Sequence, residues 1–355
     1  MAEDGSRAFS MKCLHVVPGL DEVGNGISVA AKLIANEQKA GLVEARLFAS
    51  GKFDVSQYDE VWVHSAWSPM VLRSCWRVLK LGKRLVRMSH ANYDPVRLAY
   101  HGWKKWLVGP IERFCLRRAN KIVATCEAEK VWIESYLGRR CPPIEVTDIK
   151  RFFNLNPDAQ QNDKIGQTHF IISRPLHLLY LGRRHPLKGV EYLEAAVRQI
   201  QDSTCSTCPT RLKIDLRIVS NAFGEEKEKI WDWCDVLILP TLSENFGLVV
   251  AEALERGKRV ITTDGAPAWS PSASATEDKS DGNDYGGRLI YLKGYRDGSD
   301  ETRISLLKDA IQMIKQVLSN RNLVDYTTVR PDECPDRTAR PERPFPDGPA
   351  AARLY

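Results

Sequence analysis

From Met11 onward, short apolar runs alternate with longer amphipathic segments, and the alternation occurs twice with a polar gap between the two series. Parallel strands must be joined by long crossovers, usually helices, so this pattern predicts sheets flanked by helices. The expected class is α/β, with two doubly wound domains facing a cleft. Strands are predicted at 13–18, 45–49, 60–64, 84–89 and 121–125, with helices at 27–39, 69–81 and 99–118. Gly41 is expected to stop the first helix. The second series gives strands at 176–181, 212–220, 236–240 and 259–263, and helices at 189–201, 224–233, 246–255 and 303–318. The domains thus read as 11–153 and 176–325, joined by a polar linker at 154–175. The segment 326–355 is rich in Pro and Arg without apolar period and reads as disordered.

Composition narrows the class without deciding it. With 43% hydrophobic and 27% charged residues the chain resembles an ordinary globular protein. The net charge of +6 is spread among acidic residues, and no basic stripe interleaved with stacking aromatics marks a nucleic-acid surface, so no nucleic-acid partner is expected. The nine cysteines are scattered and odd in number, the usage of free thiols in a reducing compartment. The lone Cys205–Cys208 pair lacks partners at zinc-site spacing, so no metal is assigned. No apolar run is long enough to span a bilayer, and the polar start lacks the apolar core of a signal peptide. The expected location is the cytoplasm.

The most informative stretch runs from Val236 to Glu255: an apolar strand, a polar turn, then a helix. A helix start carries unpaired N–H groups and partial positive charge, which together make an anion site. Gly247 lets a ligand approach the backbone. Glu244 and Glu252 lie a little over two helical turns apart and can meet different parts of one elongated ligand. Carboxylates accept paired hydroxyl bonds well. The plainer reading, Glu244 as a helix cap and Glu252 as a solvated charge, stands beside it. Residues 178–189 repeat the strand-then-turn pattern, with Arg183 and Lys188 at the start of the next helix. Two such cations suit a diphosphate, although exposed pairs of this kind are also ordinary surface.

Gly-Arg-x-x-x-x-Lys-Gly at 182–189, followed by Ser243-Glu-Asn-Phe-Gly and the Glu-x7-Glu pair, resembles the group 1 glycosyltransferases. These are a family 4-like, retaining group with the two-Rossmann GT-B fold, common in lipopolysaccharide and exopolysaccharide synthesis. Gly24-Asn-Gly26 resembles the family's glycine loop, and the segment 87–95 its active-site histidine segment, which places His90 at the cleft. Ala91 stands where the family often has glycine. The resemblance implies that His90, Arg183, Lys188 and Glu244 serve catalysis. Gly24, Gly26, Asn245, Phe246, Gly247, Leu248, Val249 and Glu252 would bind the donor.

The implied reaction moves a sugar from a nucleotide-diphosphate sugar to a glycan or lipid-linked acceptor with retention. No cofactor is expected beyond that co-substrate, and with no Asp-x-Asp in the chain the two cations and the helix start would carry the leaving diphosphate without a metal. Trp103, Trp106, Leu107 and Ile111 share a segment with Lys104, Lys105, Arg113, Arg117 and Arg118. Such a helix suits contact with an anionic membrane at its cytoplasmic face; a core helix with snorkelling cations is the alternative. A dehydrogenase is disfavoured because the third glycine of the dinucleotide fingerprint is missing. A non-catalytic nucleotide-sugar binder remains the rival reading.

Overall fold

The computed structural model describes residues 11–22, 24–100, 102–155, 175–202, 213–271, 285 and 287–319. Most of the expected linker, the Cys205–Cys208 pair, much of the polar loop around 272–284 and the tail lie outside the described residues.

The first sheet comprises β1 (Cys13–Val17), β2 (Gly41–Glu44), β3 (Glu60–His64), β4 (Arg84–Met88), β5 (Lys121–Ala124) and β6 (Ile144–Val146). All pair in parallel, in the order β2-β1-β3-β4-β5-β6. Helices α1 (Gly26–Gln38), α2 (Ala45–Ala49), α3 (Pro69–Lys80), α4 (Pro95–Ala99), α5 (Gly102–Arg117) and α6 (Glu127–Leu137) connect these strands. The second sheet contains β7 (Leu176–Leu181), β8 (Ile214–Val219), β9 (Val236–Leu239), β10 (Arg259–Thr263) and β11 (Leu289–Leu292), in the order β11-β10-β9-β7-β8. Its helices are α7 (Val190–Asp202), α8 (Gly224–Trp233), α9 (Leu248–Glu255) and α10 (Asp300–Ser319), the last packed on α7. Central strands such as β3 and β9 are buried at every residue, the condition that turns alternation into continuous apolar runs. Leu178, Leu237, Ile238 and Ile261 are fully buried, each burial favouring the fold by about 1.5–3 kcal/mol.

Chain order positions the site. In the first sheet the strand order reverses at β1 and β3; in the second it reverses at β7 and β9. Ligands of open α/β sheets bind outside the carboxyl ends of strands at such reversals. There lie the loops 18–25 and 65–68 of one half, and 182–189 and 240–247 of the other.

Several sequence expectations need correction. Residues 45–49 form α2 rather than a strand, and the edge strand is the four residues before it. The first helix ends at Gln38, with Lys39 in the left-handed region at φ 52°, so Lys39 and not Gly41 makes the stop. The helix expected over 99–118 is two, α4 and α5. Helix α9 begins at Leu248, not at Phe246.

Candidate active site

Strand β9 delivers its chain into a turn whose shape is fixed from three sides. Thr241 Oγ1 donates to the Leu187 carbonyl at 3.0 Å, and Leu242 N–H donates to the same oxygen at 2.9 Å. Gly189, at φ 61°, lies so close to this turn that a Cβ there would overlap the Pro240 carbonyl oxygen. The turns after β7 and β9 are therefore one unit, and the ammonium of Lys188 reaches Glu244 Oε2 as an ion pair. Glu244 Oε1 accepts the N–H of Asn245 at 3.0 Å, so this carboxylate both caps its own turn and meets a cation. Burial alone would raise the Glu244 carboxyl. The Lys188 and Arg97 charges, with the bonds from Lys188 and Asn245, bring it below its ordinary value.

Gly247 at φ 72° starts α9 in a conformation glycine adopts without strain, and it offers no side chain to cap the helix. Val250 N–H already donates to the Gly247 carbonyl at 2.8 Å, and without a capping side chain the amides of Leu248 and Val249 are left to an anion. Leu248 faces Gly26 from across the cleft, with 3.7 Å between its Cδ1 and the place a Cβ would occupy. Gly24 faces the ring of Phe223 in the same way at 3.2 Å. The expected glycine loop thus abuts the second domain. Val249 follows Leu248 in the first turn of α9 and is partly exposed.

Glu252 lies further along α9, 2.7 Å from the ammonium of Lys227 on α8. Its Oε2 is nevertheless buried and receives no aligned hydrogen bond. Phe246 is placed differently from a ligand-contacting ring: it is 2% exposed, packs on Phe153 and Trp269, and its carbonyl accepts from the Trp269 indole. Arg183 is exposed, with its guanidinium unpartnered among the described residues, whereas the neighbouring Arg184 pairs with Glu194. The expected convergence of two cations on the turn is met by Lys188 and not by Arg183. Arg183 stays close enough to Tyr180 to oppose the rise of its phenol, a rise that burial and the Glu244 charge produce.

On the other face of the cleft, His90 and Ala91 leave β4 at φ 56° and 57°. Positive φ is costly for residues with a Cβ, and the family's frequent glycine at position 91 would bear it at less cost. Here Glu129 of α6 holds the turn. Its two oxygens accept from Ser89 Oγ at 2.7 Å, Ala91 N–H at 2.5 Å, Thr125 N–H at 2.8 Å and Thr125 Oγ1 at 2.7 Å. His90 is buried, with Nδ1 3.1 Å from Asn245 Nδ2 of the opposite domain and Nε2 2.9 Å from His64. Burial first, then the Arg97 charge, lowers its imidazole to about 3.

Sequence reasoning missed most of the groups that join the halves. Ser243 donates to the Asp94 carboxylate, which also pairs with Arg296. Arg97 Nε donates to Ser243 Oγ at 2.9 Å, and Thr125 Oγ1 lies 2.9 Å from Asn245 Oδ1. The only sequence signal for these groups was proximity to quoted motifs. Among the described residues, no group of three or more His, Cys, Asp or Glu is arranged to hold a metal ion. The six described cysteines are free thiols.

Helix α5 turns its aromatic face outward. Trp103 is 65% and Trp106 79% exposed, with Leu107, Ile111, Phe114 and Trp76 of α3 beside them. The alternative reading of a core helix is therefore not met on this face. Of the helix cations, Arg117 donates to the Leu137 carbonyl, Arg113 lies over Tyr136, and Arg118 lies over Phe114. No helix among the described residues is long and apolar enough to cross a membrane.

Comparison with known proteins agrees with this geometry. Residues 25–155 match the family model Glycosyltransferase Family 4, and residues 175–277 match Glycosyl transferases group 1. The two matches fall on the two sheets, and the chain is a glycosyltransferase with the two-domain GT-B fold. Similar structures include HepE from Anabaena in complex with UDP, at 12% identity and a TM-score of 0.54, covering 87% of this chain and 92% of that one. HepE in complex with UDP-glucose gives 15% identity and a TM-score of 0.53, over 87% and 93% of the chains. Sucrose-phosphate synthase from Thermosynechococcus elongatus gives 14% and 0.50, over 87% and 99%. No curated protein matches the chain in sequence.

Proposed function

We propose that the enzyme transfers a sugar from a nucleotide-diphosphate sugar to a glycan or lipid-linked acceptor, with retention and without a metal ion. The observation that carries this reading is the joined turn: Lys188 on Glu244, immediately before an uncapped helix start, with Gly24 and Gly26 across the cleft. A diphosphate at this position meets the Lys188 ammonium and the first amides of α9. Charge that grows on the leaving group is then stabilised by groups already in place. Arg183, exposed at the end of β7, can swing over the same phosphates. Glu244 would release Lys188 to them and turn to the sugar hydroxyls. Glu252, paired with Lys227 at 2.7 Å through an oxygen that takes no aligned hydrogen bond, would turn its carboxylate to a ribose hydroxyl.

Same-face attack through an oxocarbenium-like state fits a site in which no second carboxylate has been assigned as nucleophile. UDP-glucose, bound by HepE, is the first donor to assay. Lys188→Ala and Glu252→Ala should abolish its turnover while leaving the fold intact, and NMR of the product should show the donor's anomeric configuration. Full activity in both variants, or an inverted product, overturns the reading.

The exposed aromatic face of α5 supports a membrane-surface location, with the acceptor held in the lipid and the enzyme at the inner face. Vesicles of anionic lipid should float the protein, and Trp103→Glu with Trp106→Glu should remove that binding. Equal flotation of the double variant refutes it. A lipid-linked acceptor would place the enzyme in lipopolysaccharide or exopolysaccharide synthesis.

A further inference from the structure

Three histidines run in one buried line behind the site. His15 Nε2 lies 3.0 Å from Gln38 Oε1, and His15 Nδ1 lies 2.8 Å from His64 Nε2. His64 Nδ1 then lies 2.9 Å from His90 Nε2, and His90 Nδ1 lies 3.1 Å from Asn245 in the donor turn. Their rings stack at 5.1 and 5.2 Å, His15 stacks on Trp62 at 5.0 Å, and none of the three is more than 1% exposed. The line joins the exposed end of α1 to the cleft.

A neutral imidazole has one N–H and one lone pair, so each ring dictates the next. If the Asn245 amide donates to His90 Nδ1, His90 must donate through Nε2 to His64, His64 through Nε2 to His15, and His15 to Gln38 Oε1. Reversing a single ring sets donor against donor on one side and lone pair against lone pair on the other. Only the whole line can reverse, with both terminal amides turned. We infer that His64 and His15 are positioning residues which fix the nitrogen of His90 that carries the proton, and so fix whether His90 offers a lone pair or an N–H to Asn245 and to a ligand at that turn.

The surroundings keep the line neutral. Burial first lowers His15, to about 4, against the pull of Glu60 and Gln38; burial also lowers His64, aided by its histidine neighbours and Arg87. Arg97 adds to burial at His90. The carboxylates around the line are engaged elsewhere: Glu60 accepts from the Trp62 indole, and Glu129, which holds Ser89 and Ala91 on either side of His90, also accepts from Thr125.

The functional part rests on the proposed donor site; the tautomer part does not. Two-bond proton–nitrogen NMR on the full chain, with 15N-labelled histidine at about pH 7, reads each ring directly. One common neutral tautomer in all three rings is expected, whereas mixed tautomers or an imidazolium overturn the inference. His64→Leu should shift the ring signals of His15 and His90, and His64→Gln, which offers both a donor and an acceptor, should restore them. Unchanged His90 signals in His64→Leu also overturn it. Should that variant fail to fold, Gln38→Ala at the exposed end should still move the His15 signals, and no movement counts against the line. UDP-glucose turnover should fall about tenfold in His64→Leu with donor KM little changed, as when an orienting partner behind a functional histidine is lost. A wild type that turns over no UDP-glucose fails the donor proposal alone, because the NMR result does not depend on it.

Discussion

Glu129→Gln offers the sharpest view of how strain at the cleft is held. The native carboxylate takes four donors, two on each oxygen, and is fully buried. An amide keeps one oxygen for two of them and turns an NH2 toward the other pair. If the oxygen stays with Ser89 and Ala91, the Thr125 N–H faces a donor, and Thr125 Oγ1 can accept only by giving its hydrogen to Asn245. If it stays with Thr125, the N–H of Ala91 loses its acceptor and the positive φ of His90 and Ala91 loses its tether. Hydrogen bonds to a charged group contribute about 1.5–3 kcal/mol each, so two weakened bonds cost about 3–6 kcal/mol. Relief from burying a charge opposes this, but a carboxylate with four donors retains little of that penalty. Urea unfolding followed by tryptophan fluorescence should show the midpoint lowered accordingly, and the His90–Asn245 contact should loosen, with donor turnover falling further than stability alone explains. A loss under about 1 kcal/mol would show that Glu129 does not hold the turn.

The other predictions use the same logic. Glu112→Ala leaves the Arg87 guanidinium charged at zero exposure and should cost about 3–5 kcal/mol in urea unfolding, while Arg87→Met with Glu112→Leu should recover most of it; equal losses would remove the ion pair from the account. Gly189→Ala forces a Cβ onto the Pro240 carbonyl and should destabilise the protein by about 1–3 kcal/mol and weaken UDP binding in calorimetry, because the turns carrying Lys188 and Glu244 are pushed apart. The histidine line gives stability a pH dependence with a definite sign. His15 and His90, at about 4 and about 3 when folded, bind fewer protons than in the unfolded chain, so stability is full above about pH 6.5 and falls as the pH drops toward the folded values. Each contributes a slope approaching about 1.4 kcal/mol per pH unit, and His15→Gln should flatten the curve; an unchanged slope refutes it.

What could be read from the sequence followed burial. Strands such as Leu176–Leu181 and Arg259–Thr263 were placed at their observed bounds because both faces are covered and the apolar run is unbroken. Edge strand β2 is mostly uncovered, so Gly41–Glu44 carried no such run, and the apolar residues of the next five were mistaken for it. Strand β11 and helix α6 were not predicted either; β11 follows a polar stretch that separates it from the recognised motifs. The turn bearing Lys188, Glu244 and Gly247 was legible because its residues lie within two short segments. Contacts across the cleft were not, since Asp94 meets Arg296 from 202 residues away and His90 meets Asn245 from 155. His64 reads in sequence as one more residue of a buried strand; only the alignment of β1, β3 and β4 makes it a link.

The two halves therefore do different physical work at one place. The second half provides positive charge cheaply, through a lysine and a helix start that glycine leaves open. The first half carries the strain: Ser65, Trp67, His90 and Ala91 all sit at positive φ at the ends of β3 and β4, where the line of histidines also ends. Backbone strain gathered at these strand ends costs stability and persists only where surrounding bonds enforce it, and Glu129 supplies such a bond directly at one of the four positions, Ala91, and another at Ser89 beside His90. Because Asn245 touches both His90 and Thr125, a ligand that displaces it from His90 must also disturb the carboxylate-held turn. At the proposed donor site, arrival of the nucleotide sugar would therefore be felt by the first domain through that one amide.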